Sequence, residues 1–152
     1  MKFKELQQIL PGIAGTAPAW MNDSALAELA DGSEIYLEYD SEKDELYLYC
    51  QVACLPPERL ADHAAQLLEA NLFGRHTGGT AVLAYDPDES MLVLWDKLSL
   101  PQLTGDDFRE RFAYLYLSKK HWSDTLRSEL PDGDEKQEGA PFFMPLPSFL
   151  SS

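Results

Sequence analysis

The spacing of apolar residues along the chain predicts three helices and five strands. Phe3, Leu6, Ile9 and Leu10 fall on one stripe of a short helix over Lys2–Leu10, which Pro11-Gly12 is expected to end. Gly12–Asn22, rich in Gly, Ala and Pro, reads as a connector. Leu26–Ala30 is a short strand candidate. Glu34–Tyr39 and Glu45–Val52 alternate strictly, with Asp40–Asp44 as a polar turn between them. In the second of these strands Leu46, Leu48, Cys50 and Val52 share one face, while Glu45, Tyr47, Tyr49 and Gln51 share the other. That period of two marks a half-buried antiparallel strand, and the pair reads as a hairpin.

Pro56-Pro57 breaks the pattern and opens a helix over Pro57–Phe73, with Leu60, Ala64, Leu67, Leu68 and Leu72 as its stripe and Gly74 as its stop. Thr80–Tyr85 and Met91–Trp95 form a second strand pair around an Asp-Pro-Asp turn. Both faces of this pair are apolar, so both expect to be covered. A chain this short has few elements left for that task, and a contact between subunits is one solution. Thr104 caps a final helix over Thr104–Arg127, with Asp107 completing a capping box and Phe108, Phe112, Leu115, Trp122 and Leu126 as the buried stripe. The fold class is therefore α+β: helix, three strands, helix, two strands, helix, with an antiparallel twisted sheet flanked by helices. Residues 1–128 form one domain. Residues 129–152 form an acidic, Pro-rich tail that reads as flexible at first. It ends in the apolar run Phe142–Leu150, too rich in proline for a helix or a central strand. That run could fold back on its own domain or dock extended on a neighbour.

Composition narrows the function. The chain has 152 residues, 45% of them hydrophobic, with 12 basic and 26 acidic side chains and a formal net charge of −14. Such acidity argues against binding nucleic acid or anionic lipid and favours basic or apolar partners. No signal-peptide pattern or membrane-spanning run is legible, so the chain reads as cytoplasmic. Cys50 and Cys54 are too far apart for a bridge if the segment is extended, and read as reduced thiols.

Candidate chemistry is sparse. His63, His76 and His121 have no metal-binding spacing, and the Gly-rich stretch His76–Thr80 lacks the phosphate-loop lysine. The acidic clusters lack the glycine and glutamate of a calcium loop. No catalytic residue, metal site or cofactor is expected, and a small enzyme would need a cluster of perturbed titratable groups that the sequence does not offer. Apolar surface is the informative feature. Tyr36, Tyr47 and Tyr49 lie on the face opposite the aliphatic side of the first hairpin, where they suit either an exposed binding surface or ordinary sheet packing.

Several stretches carry a resemblance. Leu67-Leu68-Glu69-Ala70-Asn71-Leu72 closes the middle helix, and Thr77-Gly78-Gly79-Thr80-Ala81-Val82-Leu83-Ala84-Tyr85-Asp86 opens the second sheet segment. Met91-Leu92-Val93-Leu94 leads through Leu98-Ser99-Leu100 into a helix ending in Lys120-His121-Trp122-Ser123-Asp124-Thr125-Leu126. With the order of elements, these make residues 1–128 similar to the class I type III secretion chaperones, the Tir-chaperone or CesT family. The resemblance implies a bacterial, cytoplasmic homodimer without enzymatic activity. It would hold the N-terminal segment of a secreted effector extended and present it to the secretion apparatus, whose ATPase releases it. The other reading is a regulatory or adaptor protein of the same fold with a non-effector partner. On this view Phe3, Leu6, Ile9, Tyr36, Tyr47 and Tyr49 are the expected partner surface, although Ile35, Leu37, Leu46 and Leu48 on the opposite face could serve instead. Leu60, Ala64, Leu67, Leu68, Val82, Leu92 and Leu94 are the expected dimer interface.

Overall fold

The computed structural model describes residues 1–129. Three helices, α1 (Phe3–Ala14), α2 (Pro57–Asn71) and α3 (Gly105–Glu129), accompany six strands. The strands are β1 (Trp20–Met21), β2 (Ser24–Glu28), β3 (Glu34–Asp40), β4 (Glu45–Cys54), β5 (Val82–Asp86) and β6 (Met91–Ser99). They form one sheet in the order β1-β2-β3-β4-β6-β5, every neighbour antiparallel.

Alternation in β4 does what its period requires. Leu46, Leu48, Cys50 and Val52 enter the main core, together with Ile35 and Leu37 of β3 and Leu92, Leu94 and Leu98 of β6. The helices close this face. Leu6, Leu10 and Ala14 of α1, Leu67 and Ala70 of α2, and Phe108, Phe112, Leu115, Trp122 and Leu126 of α3 all join the same cluster. The expected cap of α3 is in place: the Asp107 N–H donates to Thr104 Oγ1 at 3.1 Å, and the Thr104 N–H to Asp107 Oδ2 at 3.4 Å. Trp122 anchors the far end by donating its indole N–H to the His76 carbonyl at 2.7 Å.

Four expectations need correction. First, α1 runs through Pro11-Gly12 and ends only at Gly15, whose φ of 76° and N–H to the Pro11 carbonyl at 2.9 Å close the helix. Proline removes one helical hydrogen bond, and burying Ala14 with Ile13 packed beside it offsets that loss. Second, the expected connector contains a strand: β1 makes a hairpin with β2 around Asn22, at φ 57°. A two-residue strand is too short to show a period. Third, β2 begins at Ser24 rather than Leu26, and the second strand pair is Val82–Asp86 with Met91–Ser99. Fourth, α2 stops at Asn71. A single 3-10 turn over Leu72–Gly74 follows, with Phe73 at φ 55°.

The last departure has a cause. The Asn71 side chain leaves the helix register to bind β5, its Nδ2 donating to the Leu83 carbonyl at 2.9 Å and its Oδ1 accepting the Leu83 N–H at 2.8 Å. The turn after it is tight enough that a Cβ on Gly74 would run into the backbone of Gly79.

One polar cluster ties sheet to helix. Asp96, buried in β6, accepts two hydrogen bonds from the Arg111 guanidinium of α3, both at 2.7 Å, and one from Thr80 Oγ1 at 2.9 Å. A bidentate guanidinium is the geometry that makes a buried carboxylate tolerable.

Candidate partner-binding surfaces

The second face of the sheet carries its own cluster. Tyr36 and Tyr49 are cross-strand partners with stacked rings, centroids 5.1 Å apart, and Tyr47 lies 6.2 Å from Trp95 of β6. Val93 completes the group, with Leu26, Met91 and Trp95 packed around it. Glu38 sits among the rings, accepting from Ser24 Oγ at 2.7 Å and from the Tyr49 hydroxyl at 3.4 Å. Burial raises the Tyr49 phenol above its usual value, and the nearby Glu38 carboxylate adds to that.

The sequence leaves these tyrosines either an exposed binding surface or ordinary sheet packing, and as expected partner surface they would need to be open. Instead Tyr36, Tyr47 and Tyr49 are 3%, 7% and 1% exposed. The rest of the expected partner surface is split. Leu6 is wholly within the core. Phe3 is half-buried, stacked on Tyr39 at 3.9 Å and edge-on to Trp20 at 5.0 Å. Ile9 is half-buried, packed against the core beside it.

The expected dimer interface divides in the same way. Leu67, Leu92 and Leu94 are buried in the chain's own core and cannot supply a seam. Leu60 and Ala64 are half-buried. Leu68 is 71% exposed and Val82 is 37% exposed. Two residues not expected there join them: Leu72, 45% exposed, and Phe73, 86% exposed. The stripe read from α2 merged two phases. Leu67 and Ala70 face the sheet, and Leu68 and Leu72 face away from it. A left-handed Phe73 holds its ring outward because the chain turns back there toward β5. The end of α2 and the turn after it thus expose Leu68, Leu72 and Phe73, while Val82, paired with Trp95, is exposed on the opposite face of β5.

A third surface was not legible in the sequence. Ile13 and Ala14 of α1, Leu29 and Asp31 after β2, and Phe112 and Tyr116 of α3 line a groove of about 360 Å³. Its rim is fixed by a hydrogen bond from the Tyr116 hydroxyl to Asp31 Oδ2 at 2.6 Å, which holds the Asp31 carboxyl down at about 2. The three elements are far apart in sequence, and Pro11 masked the turn of α1 that forms one wall.

The sheet edges differ. Leu83 has its outward N–H and carbonyl taken by Asn71, so the middle of β5 is closed to another strand. On the other side β1 pairs only with β2, and Met21 is exposed there.

Little supports chemistry at any of these places. Among the described residues no group of three or more His, Cys, Asp or Glu side chains could hold a metal ion. Both cysteines are free thiols, and burial pushes the Cys50 thiol up to about 12, far from a nucleophile's range. No helix of the described residues is long and apolar enough to cross a membrane.

Comparison with known proteins decides what kind of molecule carries these surfaces. The Tir chaperone protein (CesT) family matches residues 22–123, from the β1–β2 turn to the last turns of α3. The chain belongs to the CesT family. No individual curated protein matches it in sequence. Solved structures agree with the family in fold. A ExsC–ExsE complex matches over 83% of this chain and 97% of the other, with TM-score 0.62 and 16% identity. The ExoU–SpcU heterodimeric complex from the type III secretion system of Pseudomonas aeruginosa matches over 78% and 95%, with TM-score 0.63 and 18% identity. The HopA1–SchA chaperone–effector complex matches over 82% and 98%, with TM-score 0.59 and 13% identity. The helix–sheet arrangement of this CesT chain is thus shared with proteins solved in complexes, and its family is one of chaperones.

Proposed function

We propose that this CesT chain is a cytoplasmic, non-enzymatic chaperone of a type III secretion system, which binds the N-terminal region of a secreted effector and keeps it extended. The family match over residues 22–123 carries the reading. The surfaces supply a physical means. A client segment that orders on binding needs apolar surface to offset its lost entropy. The groove between α1, the β2–β3 turn and α3 suits an apolar helix or loop, and the open edge of β1 suits an added strand. A net charge of −14 steers basic client segments and keeps loaded chaperones apart.

Self-association belongs to the same reading. Leu68, Leu72 and Phe73 at the end of α2, together with the exposed Val82 of β5, supply the apolar surface that supports a homodimer through an isologous contact of α2 and β5 with their own copies.

The test is co-expression with candidate effectors encoded beside the chaperone, followed by purification and light scattering. A chaperone dimer of roughly 34 kDa, twice 17.1 kDa, holding one effector through its N-terminal region is the expected result. Loss of effector secretion on deleting the chaperone completes it. Binding without any effect on secretion would assign the chain to an adaptor role, and failure to retain any effector would overturn the proposal.

A further inference from the structure

The turn after β2 forms one wall of the groove, and α3 holds that turn in place. Within it the Leu29 N–H donates to the Ser33 carbonyl at 2.8 Å and the Gly32 N–H to the Leu29 carbonyl at 2.9 Å. Asp31 accepts the Ser33 N–H on Oδ1 at 2.9 Å and the Tyr116 hydroxyl on Oδ2 at 2.6 Å. Lys119 of α3 reaches Ser33 Oγ at 3.5 Å. Leu29 is thereby fixed beside the same cavity as Ile13 and the buried Phe112. Ala30 and Ala113 are exposed lining residues with only a methyl group each, so no long side chain fills the space from those positions. A site already formed in this way needs little ordering to bind.

Arg109 and Asp31 are the charged side chains that line the groove, and they are not equivalent. Arg109 already has Asp106 of its own helix at 3.3 Å. Asp31 is held instead by the neutral donors of Tyr116 and Ser33, which keep its carboxyl at about 2 and leave its charge in place; Lys120 adds the smallest effect. A carboxylate has further lone pairs to offer beyond those these donors use. We propose that the groove takes an apolar side chain of the client with an arginine or lysine next to it, the apolar group entering beside Ile13, Leu29 and Phe112 and the cation pairing with Asp31. This rests on the chaperone reading for the source of the segment, and it narrows that reading from any apolar stretch to an apolar–basic one. The net charge of −14 favours the same cation on approach, and Asp31 fixes where it stops. An acidic neighbour of the apolar group would be left facing a carboxylate, so the site also selects by rejection. Tyr116 and Ser33 are positioning residues that aim Asp31.

The test is a nuclear magnetic resonance titration of the full, isotope-labelled chain with two short synthetic peptides. They share a background of alanine, serine and glutamine and differ at one position, one carrying Leu-Arg and the other Leu-Glu. The buffer holds about 0.15 M salt, where charges more than about 8 Å away are screened. Amide shifts should fall on Leu29–Ser33 and on Ala113–Tyr116. The Leu-Arg peptide should bind about threefold to fivefold more tightly than Leu-Glu, the scale of one exposed ion pair. Asp31→Asn should remove most of that preference. Glu89→Gln, at an exposed position on the β5–β6 turn, changes the net charge equally and should leave the preference as it was. Ala113→Trp, at an exposed helical position, should abolish the shifts from both peptides by filling the groove. The comparison on the natural chain needs no variant to fold. Absence of binding, equal affinity for the two peptides, a preference that survives Asp31→Asn, or shifts confined to other surfaces would each overturn the proposal. The peptides are not effectors, so the two readings fail separately. A chain that shows this preference yet retains no effector loses the chaperone reading and keeps the groove assignment, and the reverse result removes only the groove assignment.

Discussion

Leu68→Glu separates a surface role from a core role at a single helical step. Fully burying a leucine gains about 1.5–3 kcal/mol, and Leu68 is 71% exposed in the isolated chain. Covering the rest of it in a dimer therefore gains about 1–2 kcal/mol in each copy. An isologous interface counts every substitution twice, so the glutamate forfeits about 2–4 kcal/mol. It also takes two carboxylates out of water, which adds to the cost. A total of at least about 5 kcal/mol raises the dimer dissociation constant by more than three decades. The folded protomer should barely notice, since glutamate and leucine have similar helix propensities at an exposed position. Its thermal midpoint at high dilution should change by no more than about 0.5 kcal/mol implies. The neighbouring substitution Leu67→Glu should do the opposite. Leu67 lies in the core against the sheet, and a charge there should leave little folded protein of any mass. Sedimentation equilibrium over roughly 1–100 μM protein, a range that brackets a micromolar dissociation constant, beside thermal denaturation distinguishes the two. A Leu68→Glu protein that remains dimeric at the lowest concentration, with an unchanged melting curve, would falsify the α2 and β5 seam.

Other expected outcomes concern the protomer. Asp96→Ala should destabilise the chain by about 2–3 kcal/mol, because it strands the partly buried Arg111 guanidinium; this is somewhat below the cost at a fully buried pair. The loss is read from urea denaturation. Gly74→Ala should cost on the order of 1–3 kcal/mol, since φ is +68° there and the new methyl meets the Gly79 backbone, while Gly12→Ala, with open space around it, should cost nothing measurable. In the native state iodoacetamide should alkylate Cys54 and spare Cys50, whose modification should appear only with unfolding. Cys50 also sets a sign for pH. Its folded value is raised from 9.0 to about 12, so the folded state keeps a proton that the unfolded state loses. Stability should be unaffected by this group below pH 9 and should fall from there to about pH 12; a denaturant midpoint that does not decline over that interval would contradict the burial of the thiol.

Much of this architecture is legible in the sequence because its strongest elements are locally periodic. The alternation of Leu46–Val52 and the stripe from Phe108 to Leu126 each bury the residues that their period nominates. What is not legible depends on how one element is set against another. Nothing in the spacing of α2 says that Leu67 faces the sheet and Leu68 does not, because both belong to a broad apolar stripe until β5 fixes the phase. Pro11 is a local stop signal overruled by the burial of Ala14 three residues on. Asn71 reads as one more helical residue, and only the nearby edge of β5 gives its amide a purpose. Alternation also reveals two faces in β4 without saying that the tyrosine side is enclosed.

The amide of Asn71 has a geometric consequence for traffic around the molecule. With the centre of β5 sealed, the sheet can grow only from the β1 side, five strand spacings away, or about 24 Å across the sheet. On the proposed reading, self-association beside β5 and strand addition at β1 would take place at opposite ends of one ribbon. Neither need wait for the other. Two copies joined at their sealed ends would present two open ends facing outward, roughly 50 Å apart, with α1 and its groove lying toward each open end. A single guest chain that touched both would have to be drawn out over that whole width, so the proposed pair would work as a stretching frame whose length is set by the strand order.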